Sequence, residues 1–186
     1  MADVDALRSA LLSPEAAAAM DAHGKTEAAV LVPVYEEAGE LTLVFTERIM
    51  NLRRHGGEIS FPGGRRDGPE EELLTTALRE AEEEIALART EVEMLGALPP
   101  IGTFVTSYKV HPFVGSIPPD TPLAPNPMEV ARILHFPAAD LRKSFEMKRL
   151  VKRGIPIRTP TYEIGEHLIW GATARILGDL LERLPA

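Results

Sequence analysis

The sequence contains no cysteine. That absence excludes thiol catalysis, disulfide bonds and cysteine-ligated zinc, and it agrees with a reducing compartment. Positive charge is also short: 20 lysines and arginines face 28 aspartates and glutamates, giving a formal net charge of −8. Neither a dedicated nucleic-acid binder nor a protein drawn to anionic membranes by its overall field is expected. No apolar run reaches the roughly 20 residues that a membrane-spanning helix requires. The opening stretch, MADVDALRSALLSPEAAAAM, is interrupted by Asp3, Asp5, Arg8 and Glu15 and makes a poor signal peptide. Repeats and domain-sized linkers are missing too. The expectation is one cytoplasmic domain spanning 1–186, long enough to bury a core and ordinary in being 45% hydrophobic and 26% charged.

Helical character opens the chain over 1–22, in two pieces, with Ser13-Pro14-Glu15 supplying an N-cap and a proline at the first helical position. EAAVLVPVYEEAGELTLVFTER reads as a hairpin turning at Glu36–Glu40, which includes Gly39. IMNLRRHGGEISFPGGRRDGPE, rich in glycine and arginine, reads as a shaped loop. From Pro69 to Ile85 the residues Leu74, Leu78, Ala81 and Ile85 repeat at helical spacing. Strands are predicted over Glu91–Leu98, Ser107–Ile117 and VARILHF, with a Pro-rich surface connection, PPDTPLAPNP, before the last of them. PAADLRKS predicts a short helix, the stretch near Arg153-Gly154 a second hairpin, and GATARILGDLLERL a terminal helix. Strand pairs with a central and a terminal helix predict an α/β or α+β sandwich.

The central helix carries the chemistry. In LREAEEEIAL, residues 78–87, Glu80, Glu83 and Glu84 are helical neighbours within an arc of about 100°, while Glu82 points away. A solvated helix face, with Arg79 as a partner, accounts for such a cluster. A site for a hard divalent cation accounts for it equally in kind, since Mg²⁺ and Mn²⁺ take carboxylate oxygens and water. Taken alone, the helix favours the solvated face.

Its context points the other way. FPGGRRDGPE leads directly into the helix, and loop plus helix (63–87) resemble the Nudix box, G-x5-E-x7-R-E-U-x-E-E-x-G-U with U aliphatic. Arg79, Glu80, Glu83 and Glu84 stand at the required spacing. One extra residue separates the glycines from Arg79, so either Glu70 or Glu71 fills the first glutamate role. Ala86 replaces the late glycine, and Ala81 is a small residue at an aliphatic position. The resemblance implies a mixed-sheet α/β/α sandwich with a loop-helix-loop centre. It also implies Mg²⁺ or Mn²⁺ held by Glu83, Glu84, Glu80 and the carbonyl of Gly63. Arg79 would orient the glutamates, braced by Glu70 or Glu71.

The preceding stretch, 44–64, resembles the motif of the coenzyme A diphosphatase branch of the same family, L-L-T-x-R-[SA]-x3-R-x3-G-x3-F-P-G-G. Thr46, Arg48, Arg53, Gly57, Phe61, Pro62, Gly63 and Gly64 match in register, whereas Val44-Phe45 and Ile49 depart from it. The resemblance implies hydrolysis of coenzyme A or a derivative to adenosine 3′,5′-bisphosphate and 4′-phosphopantetheine. Substrate contacts would come from Arg48, Arg53, Arg54, Gly57 and Phe61. Arg65 and Arg66 extend this local basic cluster, though either serves as well for solubility. Another nucleoside diphosphate substrate (ADP-ribose, a dinucleoside polyphosphate or an oxidised nucleotide) or a non-catalytic nucleotide sensor are the alternatives. Glu163 and Glu166, placed with Tyr162 and His167 in a predicted late loop, are base candidates beside Glu80. His55 reads as a solvated loop residue, and His111 and His135 as framework. The expected partner is a small molecule, without nucleic acid or membrane; a homodimer is left open.

Overall fold

The computed structural model describes residues 2–50, 57–103, 107–152 and 155–185. Two short helices, α1 (Ala2–Ala10) and α2 (Pro14–Ala18), open the chain. Pro14 takes the first position of α2, and Ser13 Oγ accepts the Ala16 N–H at 3.1 Å, as its Ser-Pro start predicts. β1 (Thr26–Glu37) and β2 (Glu40–Arg48) form the expected hairpin. Its turn residues, Ala38 and Gly39, have φ of 52° and 82°, the positive values that suit the right-handed twist of a two-residue hairpin.

There follow β3 (Ile59–Ser60), β4 (Gly63–Arg65), α3 (Leu73–Ile85), β5 (Glu93–Ala97), β6 (Ile101–Gly102) and β7 (Tyr108–Ser116). The chain then forms β8 (Val130–Pro137), α4 (Ala138–Lys143), β9 (Phe145–Lys152), β10 (Ile155–Ile164), β11 (His167–Trp170) and α5 (Gly171–Arg183). Among the described residues, 8 strands share one mixed sheet in the order β3-β2-β1-β7-β5, with β4 on β1, β6 on β7 and β8 on β2. β1 and β7 run parallel, and β9 to β11 make a separate antiparallel sheet.

Strand alternation sends successive side chains to opposite faces. On one face Ala29, Leu31, Val44 and Phe113 pack against Ala77, Ala81 and Ile85 of α3. On the other, Val32, Leu43, Phe45 and Val114 pack with Leu7 of α1, Leu177 and Leu180 of α5, and Tyr162 and Ile169 of the small sheet. The result is the predicted α+β sandwich around a mixed sheet. The small side chains of Ala77 and Ala81, both fully buried, let α3 lie close on the sheet.

Several expectations are corrected. α3 starts at Leu73 rather than Pro69, because residues 66–72 fold into a turn in which the Glu71 N–H donates to the Gly68 carbonyl at 3.2 Å. The strand expected from Glu91 starts at Glu93, after a 3-10 turn at Arg89–Glu91. The late loop is a hairpin: Tyr162 and Glu163 belong to β10 and His167 to β11. The turn expected at Arg153-Gly154 lies outside the described residues, between paired Lys152 and Ile155. No described helix is long and apolar enough to cross a membrane.

Candidate active site

Arg79 is the hub of the charged face of α3. Its Nε donates to Glu71 Oε1 at 2.9 Å, and Nη1 donates to Glu80 Oε1 at 2.9 Å and to Glu83 Oε2 at 3.2 Å. Nη2 reaches the Arg65 carbonyl at 3.3 Å, which ties the helix to β4. Glu71 also accepts the Asp67 N–H at 2.9 Å and the Thr76 hydroxyl at 2.8 Å. Arg79 first, then the Asp67 amide, hold the Glu71 carboxyl down at about 2. Glu70 is exposed, so Glu71 is the residue that braces Arg79.

Glu84 belongs to a different environment. It follows Ala77 and Ala81 at helical spacing, which turns it toward the sheet and leaves it 2% exposed. Arg48 Nη1 donates to its Oε1 at 3.0 Å and the Gly63 N–H to its Oε2 at 3.2 Å. Burial pushes the Glu84 carboxyl up to about 7 against the pull of Arg48 and the Gly63 amide. Glu80 is also raised, by burial first and against Arg79. Glu83 is more open to solvent, and Glu82 is turned aside to Arg89 at 3.2 Å.

β2 explains how Arg48 arrives here. Val44 faces α3, and Arg48 is in phase with it at the end of the strand. The register with β8 shifts at this point: Glu47 opposes Arg132, whereas Arg48 opposes Val130. Arg48 Nη2 reaches a second acid, Glu129, at 3.4 Å. No motif in the sequence marks Glu129. Its position follows from the Pro-rich connection, which is stitched to the end of α3: the Asn126 N–H donates to the Glu84 carbonyl at 2.9 Å and the Ala124 N–H to that of Ile85 at 3.0 Å. The unpaired carbonyls of a helix C-terminus attract such donors, but the sequence does not say which loop supplies them.

The remaining expected residues are distributed less tightly. Gly57 has φ of 73°, and its N–H donates to the Arg48 carbonyl at 3.0 Å. Phe61 is 2% exposed and stacks on Phe45 with ring centroids 4.5 Å apart, so its ring belongs to the core. Arg53, Arg54 and His55 lie outside the described residues. Arg66 donates to the carbonyls of Glu71 and Pro69 and shapes the turn before α3. Glu163 is paired with Lys148 at 2.6 Å. Glu166 is paired with Arg132 at 3.0 Å; Arg132 also binds Glu47, which is out of phase with Arg48 along β2. His135 Nδ1 meets the Tyr35 hydroxyl at 3.2 Å, and His111 is buried 3.4 Å from Glu27.

Among the described residues, no three acidic or histidine side chains already converge as a cation cage. The arginines explain this, since Arg79 gathers Glu80 and Glu83 while Arg48 takes Glu84. The donor set is nonetheless made of hard oxygens that require positive charge, and guanidinium groups supply that charge from within the chain. It fits a divalent cation. Two shallow hollows elsewhere, one beside Leu41 and Leu184 and one beside Pro118 and Pro122, touch none of these glutamates.

The family model described as the NUDIX domain matches residues 25–154. The chain belongs to the Nudix family. It is 38% identical over 159 residues to a protein of Photorhabdus laumondii named Uncharacterized Nudix hydrolase NudL, covering 84% of each chain. It is 36% identical over 156 residues to the protein of that name in Escherichia coli O7:K1, covering 83% of this chain and 80% of the relative. Among solved structures, a C. elegans Ap4A hydrolase binary complex is similar with a TM-score of 0.53 and 18% identity, over 64% of this chain and 85% of that one. The NUDIX domain of Shewanella oneidensis NrtR, complexed with ADP ribose, is similar with a TM-score of 0.51 and 17% identity, over 75% of this chain and 86% of that one. At these identities the structural likeness speaks to the fold. As a Nudix hydrolase the chain acts on nucleoside diphosphate derivatives, chemistry for which the family generally uses divalent metal ions.

Proposed function

We propose that the substrate is coenzyme A or one of its thioesters, cleaved at the diphosphate to adenosine 3′,5′-bisphosphate and a 4′-phosphopantetheine fragment. The observation that carries this reading is the contact between Arg48 and Glu84. It joins the first arginine of the 44–64 motif to a glutamate of the Nudix box, so the two motifs converge on one place. Thr46, another matching residue, is fully buried with its hydroxyl on the Ser60 carbonyl at 3.2 Å, which fixes the strand that delivers Arg48.

Glu80, Glu83, Glu84 and the Gly63 carbonyl would hold Mg²⁺ or Mn²⁺, which when bound neutralises diphosphate oxygens and acidifies a water. Arg79 sets the directions of Glu80 and Glu83, with Glu71 fixing Arg79 in turn. Glu80, half-buried with a raised pKa, is the base we favour for the attacking water. Glu163 and Glu166 are each held by a cation and would have to leave it to serve. The basic segment Arg53-Arg54 supplies charge for the 3′-phosphate that distinguishes coenzyme A.

Competing kinetics on coenzyme A and ADP-ribose with Mg²⁺ test the assignment. A higher kcat/KM for coenzyme A, with adenosine 3′,5′-bisphosphate as product, is expected; a preference for ADP-ribose overturns it. Glu83→Gln should abolish turnover while the fold survives, and unchanged turnover would remove the metal assignment.

A further inference from the structure

Glu84 is a buried carboxylate whose two oxygens are both engaged, one by Arg48 and one by the Gly63 amide. The amide is fixed by the pairing of β4 with β1, in which Gly63 opposes Val30. The guanidinium is not fixed in the same way. It is a fork whose second prong rests on Glu129 at 3.4 Å, and the Glu129 side chain is 46% exposed. A cation arriving at Glu84 therefore meets one partner that cannot move and one that already has somewhere else to go.

We propose that Arg48 is a resident counter-cation, displaced from Glu84 when a divalent metal ion binds and retained on Glu129. Two positive groups cannot share one buried carboxylate oxygen without strong repulsion at short range. The same guanidinium thus keeps Glu84 aimed and charge-balanced before metal entry. Once displaced, it remains at the rim of the site with donors free for a diphosphate oxygen. In this account Arg48 sets metal affinity by competition.

This inference rests on the reading of Glu84 as a metal ligand. A different role for Arg48, a permanent brace that aims Glu84 at the metal, predicts the opposite sign on its removal. The deciding experiment is calorimetric titration of metal-free protein with Mg²⁺ at pH 9, without substrate, comparing wild type with Arg48→Met. Competition predicts Mg²⁺ binding roughly tenfold tighter in Arg48→Met, the equivalent of one lost charge-assisted contact. Unchanged or weaker binding overturns the inference. If wild-type protein and Glu84→Gln bind Mg²⁺ equally, the ligand reading itself fails, which is a separate result. Should Arg48→Met not fold, a Mg²⁺-bound crystal structure of the wild type decides. Expected is an Arg48–Glu84 separation beyond hydrogen-bond reach with the Glu129 contact kept; a retained Arg48–Glu84 bond overturns the inference.

Discussion

Glu71 Oε1 lies 2.9 Å from Arg79 Nε, joining the turn before α3 to the middle of the helix. The two residues flank the Nudix helix start, and through Arg79 the contact extends to Glu80 and Glu83. A brace placed outside the helix can hold the arginine against the pull of the glutamates, which a partner one turn along the helix could not do from the same direction.

Glu71→Gln is expected to destabilise the protein by about 1–3 kcal/mol, the cost of leaving a charged hydrogen-bond donor short of its acceptor. Glu70→Gln should leave stability unchanged, because Glu70 is exposed. The pH dependence has a definite sign. The folded carboxyl sits at about 2, below its ordinary 4.5, so its stabilising contribution is complete above 4.5 and is lost as pH falls toward 2. Urea unfolding from pH 7 to pH 2 should show a shallower acid loss in Glu71→Gln. Equal acid profiles for the two proteins would contradict the brace.

Glu84 predicts the reverse slope. Burial raises its folded pKa from 4.5 to about 7, so between those values the native state keeps a proton that the unfolded chain has released. Stability then falls as pH rises across that window and levels off above it. In metal-free protein, Glu84→Gln should remove this fall, seen as a flatter stability curve between pH 5 and 7. A curve parallel to wild type would mean that Arg48 and the Gly63 amide compensate the burial fully.

Much of this site was legible in the sequence. The spacing of Arg79, Glu80, Glu83 and Glu84 is enough to put them on neighbouring arcs of one helix, whereas the 44–64 motif marks Arg48 as a substrate contact without placing it against Glu84. What spacing does not carry is tertiary direction. Glu84 looked like Glu83 on a helical wheel, yet it shares the arc of Ala77 and Ala81 and is buried with them. Phe61 matched a motif expected to touch substrate, but its apolar ring stacks on Phe45, where burial of such a side chain contributes about 1.5–3 kcal/mol. Glu129 carried no local signal. It reaches the site because the Pro-rich connection donates to carbonyls of α3, a long-range pairing that composition does not encode.

The adjacent glycines Gly63 and Gly64 should separate fold from chemistry. A Cβ on Gly63 would run into the backbone of Ala29 and Val30, neither of which can yield within the sheet. Gly63→Ala is expected to cost about 1–3 kcal/mol or more through overpacking. A Cβ on Gly64 would instead meet the Glu80 carboxylate, the mobile end of a side chain. Gly64→Ala should retain its fold and lose about 10²-fold in kcat as Glu80 is displaced. Thermal unfolding measured beside turnover distinguishes them. A Gly64→Ala protein with full activity would take Glu80 out of the reacting centre.

Ala86 ends α3 with φ of 55° and ψ of 25°, a left-handed conformation that costs an L-residue about 1 kcal/mol and a glycine almost nothing. Its N–H caps the Glu82 carbonyl at 3.0 Å, and the Leu87 N–H turns back to Ala81 at 3.4 Å, the pattern of a helix that closes on a left-handed residue. Because Ala86 is exposed, its methyl group contributes little packing. Ala86→Gly should therefore raise Tm by about 2–4 °C. Turnover should not change, since Glu83 is held by Arg79 and Glu84 by the Gly63 amide, neither of which depends on the cap. A lower Tm would mean that the unfolded-state entropy of the added glycine outweighs the strain removed, and that the left-handed cap is already relaxed around alanine.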